Sequence, residues 1–153
     1  MKAFKVLNGD LVLDSKGELQ TLSGQDYLDQ AVEKILLTGR SRADKSRPDP
    51  DYGASLNDLA RNPPASPVLR ALEAKAEIRR ALEKLIEIQT SQYEALADKT
   101  LYPAEERLAR VLGLQVWVPD DDPRELQYRV HLMTKADELI TEGRTMAGAK
   151  IGE

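Results

Sequence analysis

The stretch Leu112–Met133 restricts what this chain can fold into more than any other part of it. It reads Leu-Gly-Leu-Gln-Val-Trp-Val, then Pro-Asp-Asp-Asp-Pro-Arg-Glu, then Leu-Gln-Tyr-Arg-Val-His-Leu-Met. Leu114, Val116 and Val118 alternate with Gln115 and Trp117. Beyond the turn, Leu126, Tyr128, Val130 and Leu132 alternate with Gln127, Arg129 and His131. Period-two alternation on both sides of a proline- and aspartate-rich turn predicts a β-hairpin with one apolar face. A lone hairpin cannot bury that face. A third strand, a helix or a partner protein must cover it.

The 153 residues predict one domain with a modest core, because aromatic residues are only 5% of the chain. Charged residues make up 31%, above the usual quarter, as in a surface-rich, helix-containing protein or one part of an assembly. A net charge of −4 argues against a general nucleic-acid binder. Without cysteine there is no disulfide framework, thiolate metal site or cysteine nucleophile. No apolar run approaches the roughly 18 residues of a membrane span. Met1-Lys2-Ala3-Phe4 runs into the polar Asn8-Gly9-Asp10 without a secretory apolar region. The expectation is a soluble protein made in the cytoplasm.

Phe4–Leu7 and Leu11–Leu13 flank Asn8-Gly9, a dipeptide suited to a tight hairpin. A second turn at Asp14–Gly17 leads to Glu18–Leu22, completing a small meander. Ser23-Gly24-Gln25-Asp26 matches a capping box. Leu28, Ala31, Val32, Ile35 and Leu36 follow at helical spacing, and Gly39 is a natural stop. Charge, two prolines and a glycine make residues 40–53 a loop. Ser55–Asp58 can open a short helix that Asn62-Pro63-Pro64 ends. Ser66-Pro67 then starts a long charged helix. Leu72, Ala76, Ile78, Leu82, Leu85, Gln89, Tyr93 and Leu96 mark its stripe to about Ala97. Residues 104–112 read as one more short helix. After Met133 the chain turns polar, with Leu139 and Ile140 as anchors, and a short helix with a frayed tail is expected.

Candidate chemistry is sparse. Arg40, Arg42, Lys45 and Arg47 cluster without aromatic interleaving or a glycine-rich phosphate cradle, as in a solvated loop or protein interface. Glu105 and Glu106 are adjacent, so their carboxylates diverge and do not form an acid/base pair. Asp120–Asp122 lacks the spaced ligands of a calcium loop. His131, the sole histidine, has no nucleophile motif nearby. Trp117 is either a partner contact or a residue covered by the long helix. Nothing in the residues points to an enzyme, a metal or a cofactor.

The order of these features resembles the sheath-initiator family of baseplate-wedge proteins in contractile phage tails, shared with type VI secretion baseplates and sometimes labelled lysozyme-like. The N-terminal strands run into Gln20–Gly24 and then into a helix with Gln30 and Ile35-Leu36-Leu37-Thr38. The passage through Arg40-Ser41-Arg42 and Arg47-Pro48 to Pro50-Asp51-Tyr52-Gly53-Ala54-Ser55-Leu56 resembles the family's threonine, basic loop, proline and aromatic-glycine order. Glu105-Glu106-Arg107-Leu108 stands where the family carries Glu-Pro-Arg before its last strands. The likeness spans roughly residues 5–135.

The resemblance implies an α+β domain over residues 1–135, with N-terminal short strands, helices and a C-terminal antiparallel hairpin, followed by a polar tail over 136–153. It implies a structural baseplate component in the virion tail, present in several copies in a ring and contacting sheath, wedge and hub proteins. It also implies a buried ion pair between Glu105 and Arg107 and a loop interface at Arg42, Arg47, Tyr52 and Gly53. Sheath contacts would fall at Trp117, Tyr128, Val130 and Leu132, with Glu125–Met133 or its hairpin mate pairing with a sheath strand. The alternatives are a helical adaptor acting through residues 67–97 and a muralytic hydrolase.

Overall fold

Three antiparallel strands and two helices account for most of the computed structural model, which describes residues 3–7, 10–39, 51–54, 56, 66–119 and 125–145. The predicted hairpin is present: β5 (Leu108–Trp117) pairs with β6 (Gln127–Thr134), with Leu114 opposite Val130 and Val116 opposite Tyr128. The third strand that a hairpin needs comes from the chain itself. β7 (Leu139–Thr145) pairs with the other side of β6, giving the order β5-β6-β7. Here the structure departs from the short helix expected after Met133, while residues 146–153 of the expected frayed tail lie outside the described ones. Thr134, fully buried, sets the turn. Its hydroxyl accepts from the amides of Ala136 and Glu138 at 3.2 and 3.1 Å, and Asp137 adopts a φ of 59°.

The helix expected over 104–112 is also replaced. Ala104–Glu106 form one 3-10 turn, and Leu108 already begins β5. Residues 104–112 favour a helix locally, but pairing with β6 outweighs a weak propensity. Two register irregularities, between Leu108 and Arg110 and between Val111 and Gly113, bend the start of the strand.

α1 (Gly24–Leu37) buries Leu28, Val32, Ile35 and Leu36 as their spacing requires. The capping box does not form, because the Ser23 side chain makes no cap bond. Instead the Gly24 amide donates to Glu106 Oε1 at 3.0 Å. Nor does Gly39 stop the helix: Thr38 does, with its amide and hydroxyl both donating to the Lys34 carbonyl, at 3.0 and 2.6 Å.

α2 (Pro67–Ala95) starts as predicted, with Ser66 Oγ accepting from the Leu69 amide at 3.4 Å. Its buried row is Arg70, Ala74, Ile78, Ala81, Leu82, Leu85 and Gln89. Leu72 and Ala76 were expected in the stripe but face solvent, since two residues' offset from Arg70 or Ala74 carries a side chain to the far side of a helix. Gln89, the one polar member of the lower row, is explained by its partner: its Oε1 accepts from the Leu108 amide at 2.8 Å, fixing the start of β5 against the helix. Lys99 Nζ then closes the helix by donating to the carbonyls of Tyr93, Glu94 and Leu96.

Leu28, Val32 and Ile35 of α1, Ile78, Leu82 and Leu85 of α2, and Leu108, Leu114, Tyr128, Val130, Leu132 and Ile140 of the sheet form one core. The N-terminal meander lies outside it: β1 (Ala3–Phe4) pairs with β4 (Thr21–Leu22), and β2 (Val6–Leu7) with β3 (Asp10–Leu11). The whole is an α+β fold. The predicted turns at Asn8-Gly9 and Asp120–Asp122, and the short helix opening at Ser55, fall on or run into residues outside the described ones. Among the described residues no helix is long and apolar enough to cross a membrane.

Candidate functional site

A strand can recruit another strand only from an unpaired edge. β6 has none, since it is paired on both sides along its length. The expected partner contacts on it are therefore corrected. Tyr128, Val130 and Leu132 are at most 2% exposed and belong to the core, because their face of the sheet is the one the helices cover.

The outer edge of β5 is different. No described strand pairs with it, and along Leu114–Val118 it forms one wall of a groove of about 710 Å³. The opposite wall is the first turns of α2, at Pro67, Val68, Ala71, Leu72 and Lys75. Consecutive residues of a strand send their side chains to opposite faces. The wall is an unbroken run, Leu114–Trp117 of β5 and Val118 just past its end, so it draws on both faces of the strand. Val68 and Leu72 are 70% and 59% exposed, and among the described residues lining the groove Lys75 alone is charged. Trp117 resolves between its two expected roles: it is half-buried and lines this groove across from the helix. The groove's helical wall escaped prediction because Leu72 was read as core and Val68 lies just beyond the cap, in no apolar row. Such an arrangement can supply a hydrogen-bonding ladder on one side and apolar contact on the other, the two components of strand addition.

The Glu105–Arg107 pair inferred from resemblance is not buried. Glu105 is exposed, whereas Glu106 is 1% exposed and caps α1 through Gly24. The Arg107 guanidinium lies 3.8 Å from the centre of the Tyr93 ring, a cation–π contact. Beside Glu106, the rings of Tyr27 and Tyr102 meet edge to face with centres 6.2 Å apart. Burial, and then the Glu106 charge, raise the Tyr27 phenol above its ordinary value. Burial, followed by Tyr27 and Glu106, raises Tyr102 further, against an opposing effect of Arg107. Both phenols stay neutral, and the cluster joins the start of α1 to the turn that leads into β5.

Of the expected loop interface, Arg42 and Arg47 lie outside the described residues. Tyr52 is half-buried against the core and Gly53 is buried, so neither forms an open contact surface. Gly53 has a φ of 108°, and a Cβ there would collide with the Thr38 carbonyl. The Asp51 and Gly53 carbonyls accept from Arg80 of α2, and the Ala54 amide donates to the Thr38 carbonyl at 2.8 Å. The aromatic-glycine passage thus ties both helices together. His131 is half-buried, with Nδ1 3.1 Å from Thr141 Oγ1 on the neighbouring strand. Among the described residues no three His, Cys, Asp or Glu side chains are grouped to hold a metal ion. Comparison with family models, with curated proteins and with solved structures found no match to this chain.

Proposed function

We propose that this protein is a structural baseplate component of a contractile phage tail or related injection system, and that it starts sheath polymerisation by strand addition. The observation that carries the reading is the edge of β5 at Leu114–Trp117, which no described strand pairs, facing the exposed Val68 and Leu72 across a groove. A strand from the first sheath ring lies along β5 and buries its apolar side chains against the start of α2. Each ladder hydrogen bond contributes about 0.5–1.5 kcal/mol net, and the apolar wall fixes the register. A ring of copies presents a ring of such edges, beside contacts to wedge and hub proteins. The protein acts in the virion baseplate as a scaffold and not as an enzyme. The adaptor alternative needed the apolar stripe of α2 for a partner, but Leu82 and Leu85 are 0% and 5% exposed and already serve the core.

Proline separates the pairing edge from the fold. In an antiparallel edge strand successive amides point alternately toward and away from the neighbour. Of Gln115→Pro and Val116→Pro, one removes a donor to β6 and destabilises the sheet. The other removes only an outward donor and folds. The folded variant is expected to give baseplates with tubes but no sheath in negative-stain micrographs. Normal sheathed tails from it would contradict the proposal. Val130→Pro is no substitute, because Val130 is fully buried on the central strand and proline there unfolds the protein.

A further inference from the structure

The N-terminal meander carries apolar side chains on its outer face as well as its inner one. An antiparallel sheet with one covered face turns its apolar side chains inward. Here Phe4, Val6, Leu11, Leu13 and Leu19 are between 39% and 57% exposed, on the face opposite the half-buried Ala3, Lys5, Val12, Gln20 and Leu22. The register gathers the five on one face. Val6 lies opposite Leu11, Leu13 opposite Leu19, and Phe4 two residues before Val6. Backbone bonds hold this face together: the Lys5 amide donates to the Gln20 carbonyl at 2.8 Å, Val12 to Lys5 at 3.2 Å and Gln20 to Val12 at 2.8 Å. Gln30 of α1 fixes it to the body. Its Oε1 accepts from the Val6 amide at 3.0 Å and its Nε2 donates to the Phe4 carbonyl at 2.9 Å.

Together the five side chains leave on the order of 450 Å² of apolar surface uncovered. A standard interface takes about 800 Å² from each partner, a little over half of it apolar. The exposed area is thus comparable in size with the apolar share of one side of such an interface. Lys5 and Lys16 on this segment are offset by Asp10, Asp14 and Glu18, so the face carries no single-sign field to repel its own kind.

We infer that this face is a self-association surface, on which a second copy of the chain seats the same five side chains about a two-fold axis. An apolar face with mixed charges around it is complementary to itself, as an isologous contact requires. Two such sheets pack face to face at the spacing of a sandwich, about 10 Å. The inference stands apart from the sheath-pairing reading, because the β5 groove is lined by other residues.

The test is sedimentation equilibrium of the full chain from about 1 to about 100 µM. The expected result is a dimer at the upper end. In the double variant Leu11→Lys/Leu13→Lys, association weakens at least tenfold while the circular dichroism is unchanged. Should that variant not fold, Leu13→Lys alone serves, its side chain being 57% exposed and joined only by an isolated bridge. A wild-type chain that stays monomeric at the highest concentration would overturn the inference. So would species larger than a dimer, or a folded variant that associates as tightly as the wild type.

Discussion

Two neighbouring glutamates take opposite roles. Glu106, 1% exposed, accepts the Gly24 amide at the start of α1, whereas Glu105 points to solvent. Glu106→Ala is expected to lower unfolding stability by about 1–3 kcal/mol, since it strips the half-buried Gly24 amide of its carboxylate acceptor. Glu105→Ala should change stability by less than about 0.5 kcal/mol. Urea denaturation of both variants checks the pair, and equal losses would contradict the assignment. The tyrosines beside Glu106 give a pH dependence. Their phenols ionise above the ordinary value of 10.0 in the folded chain. A raised folded-state pKa contributes stability that is complete below the unfolded value and lost as pH rises through the folded one. The urea midpoint should therefore fall above pH 10. Tyr102→Phe, which loses the hydroxyl bond between Tyr102 and Tyr27 and with it about 1 kcal/mol at neutral pH, should show a smaller alkaline fall, with Tyr27 and Tyr52 still contributing. An alkaline fall as steep as that of the wild type would contradict it.

At the scale of elements, α2 performs two tasks on two faces. The row from Ala74 to Gln89 packs on the sheet, and the first turns leave Val68 and Leu72 beside the β5 edge. Val68→Asp/Leu72→Asp should leave the urea midpoint nearly unchanged, because both side chains are mostly exposed. The same change should reduce sheath nucleation at least tenfold, by placing charge where a strand must lose water. A count of sheathed tails alongside the midpoint separates the two effects. What could be read from the residues follows the same division. Strict alternation located β5 and β6, and Ser66-Pro67 located the start of α2, because these signals are local. β7 was not legible. Apart from Leu139 and Ile140 its residues are Thr, Glu, Gly, Arg and Thr, and it becomes a strand through pairing with β6. For the same reason 104–112 read as a helix: the competing strand partner lies some twenty residues away. The resemblance put a carboxylate at this turn but chose Glu105, and only the packing against α1 selects Glu106.

Across the whole molecule, two apolar surfaces stand outside the core that the described residues form. One is the β5 groove and the other the outer face of the N-terminal meander, and the proposed place between wedge and sheath would use at least two such faces. The sheet supplies its own third strand, so the open edge is available without disturbing the core. That edge carries the central claim, and amide hydrogen exchange over Gly113–Val118 tests it most directly. The exchange of these amides is followed in the free chain and after assembly with sheath subunits of the same tail system. Strand addition predicts alternation: the amides already bonded to β6 stay slow in both states, and the intervening ones become protected only on assembly. Unchanged exchange at the intervening amides in fully sheathed particles would contradict it.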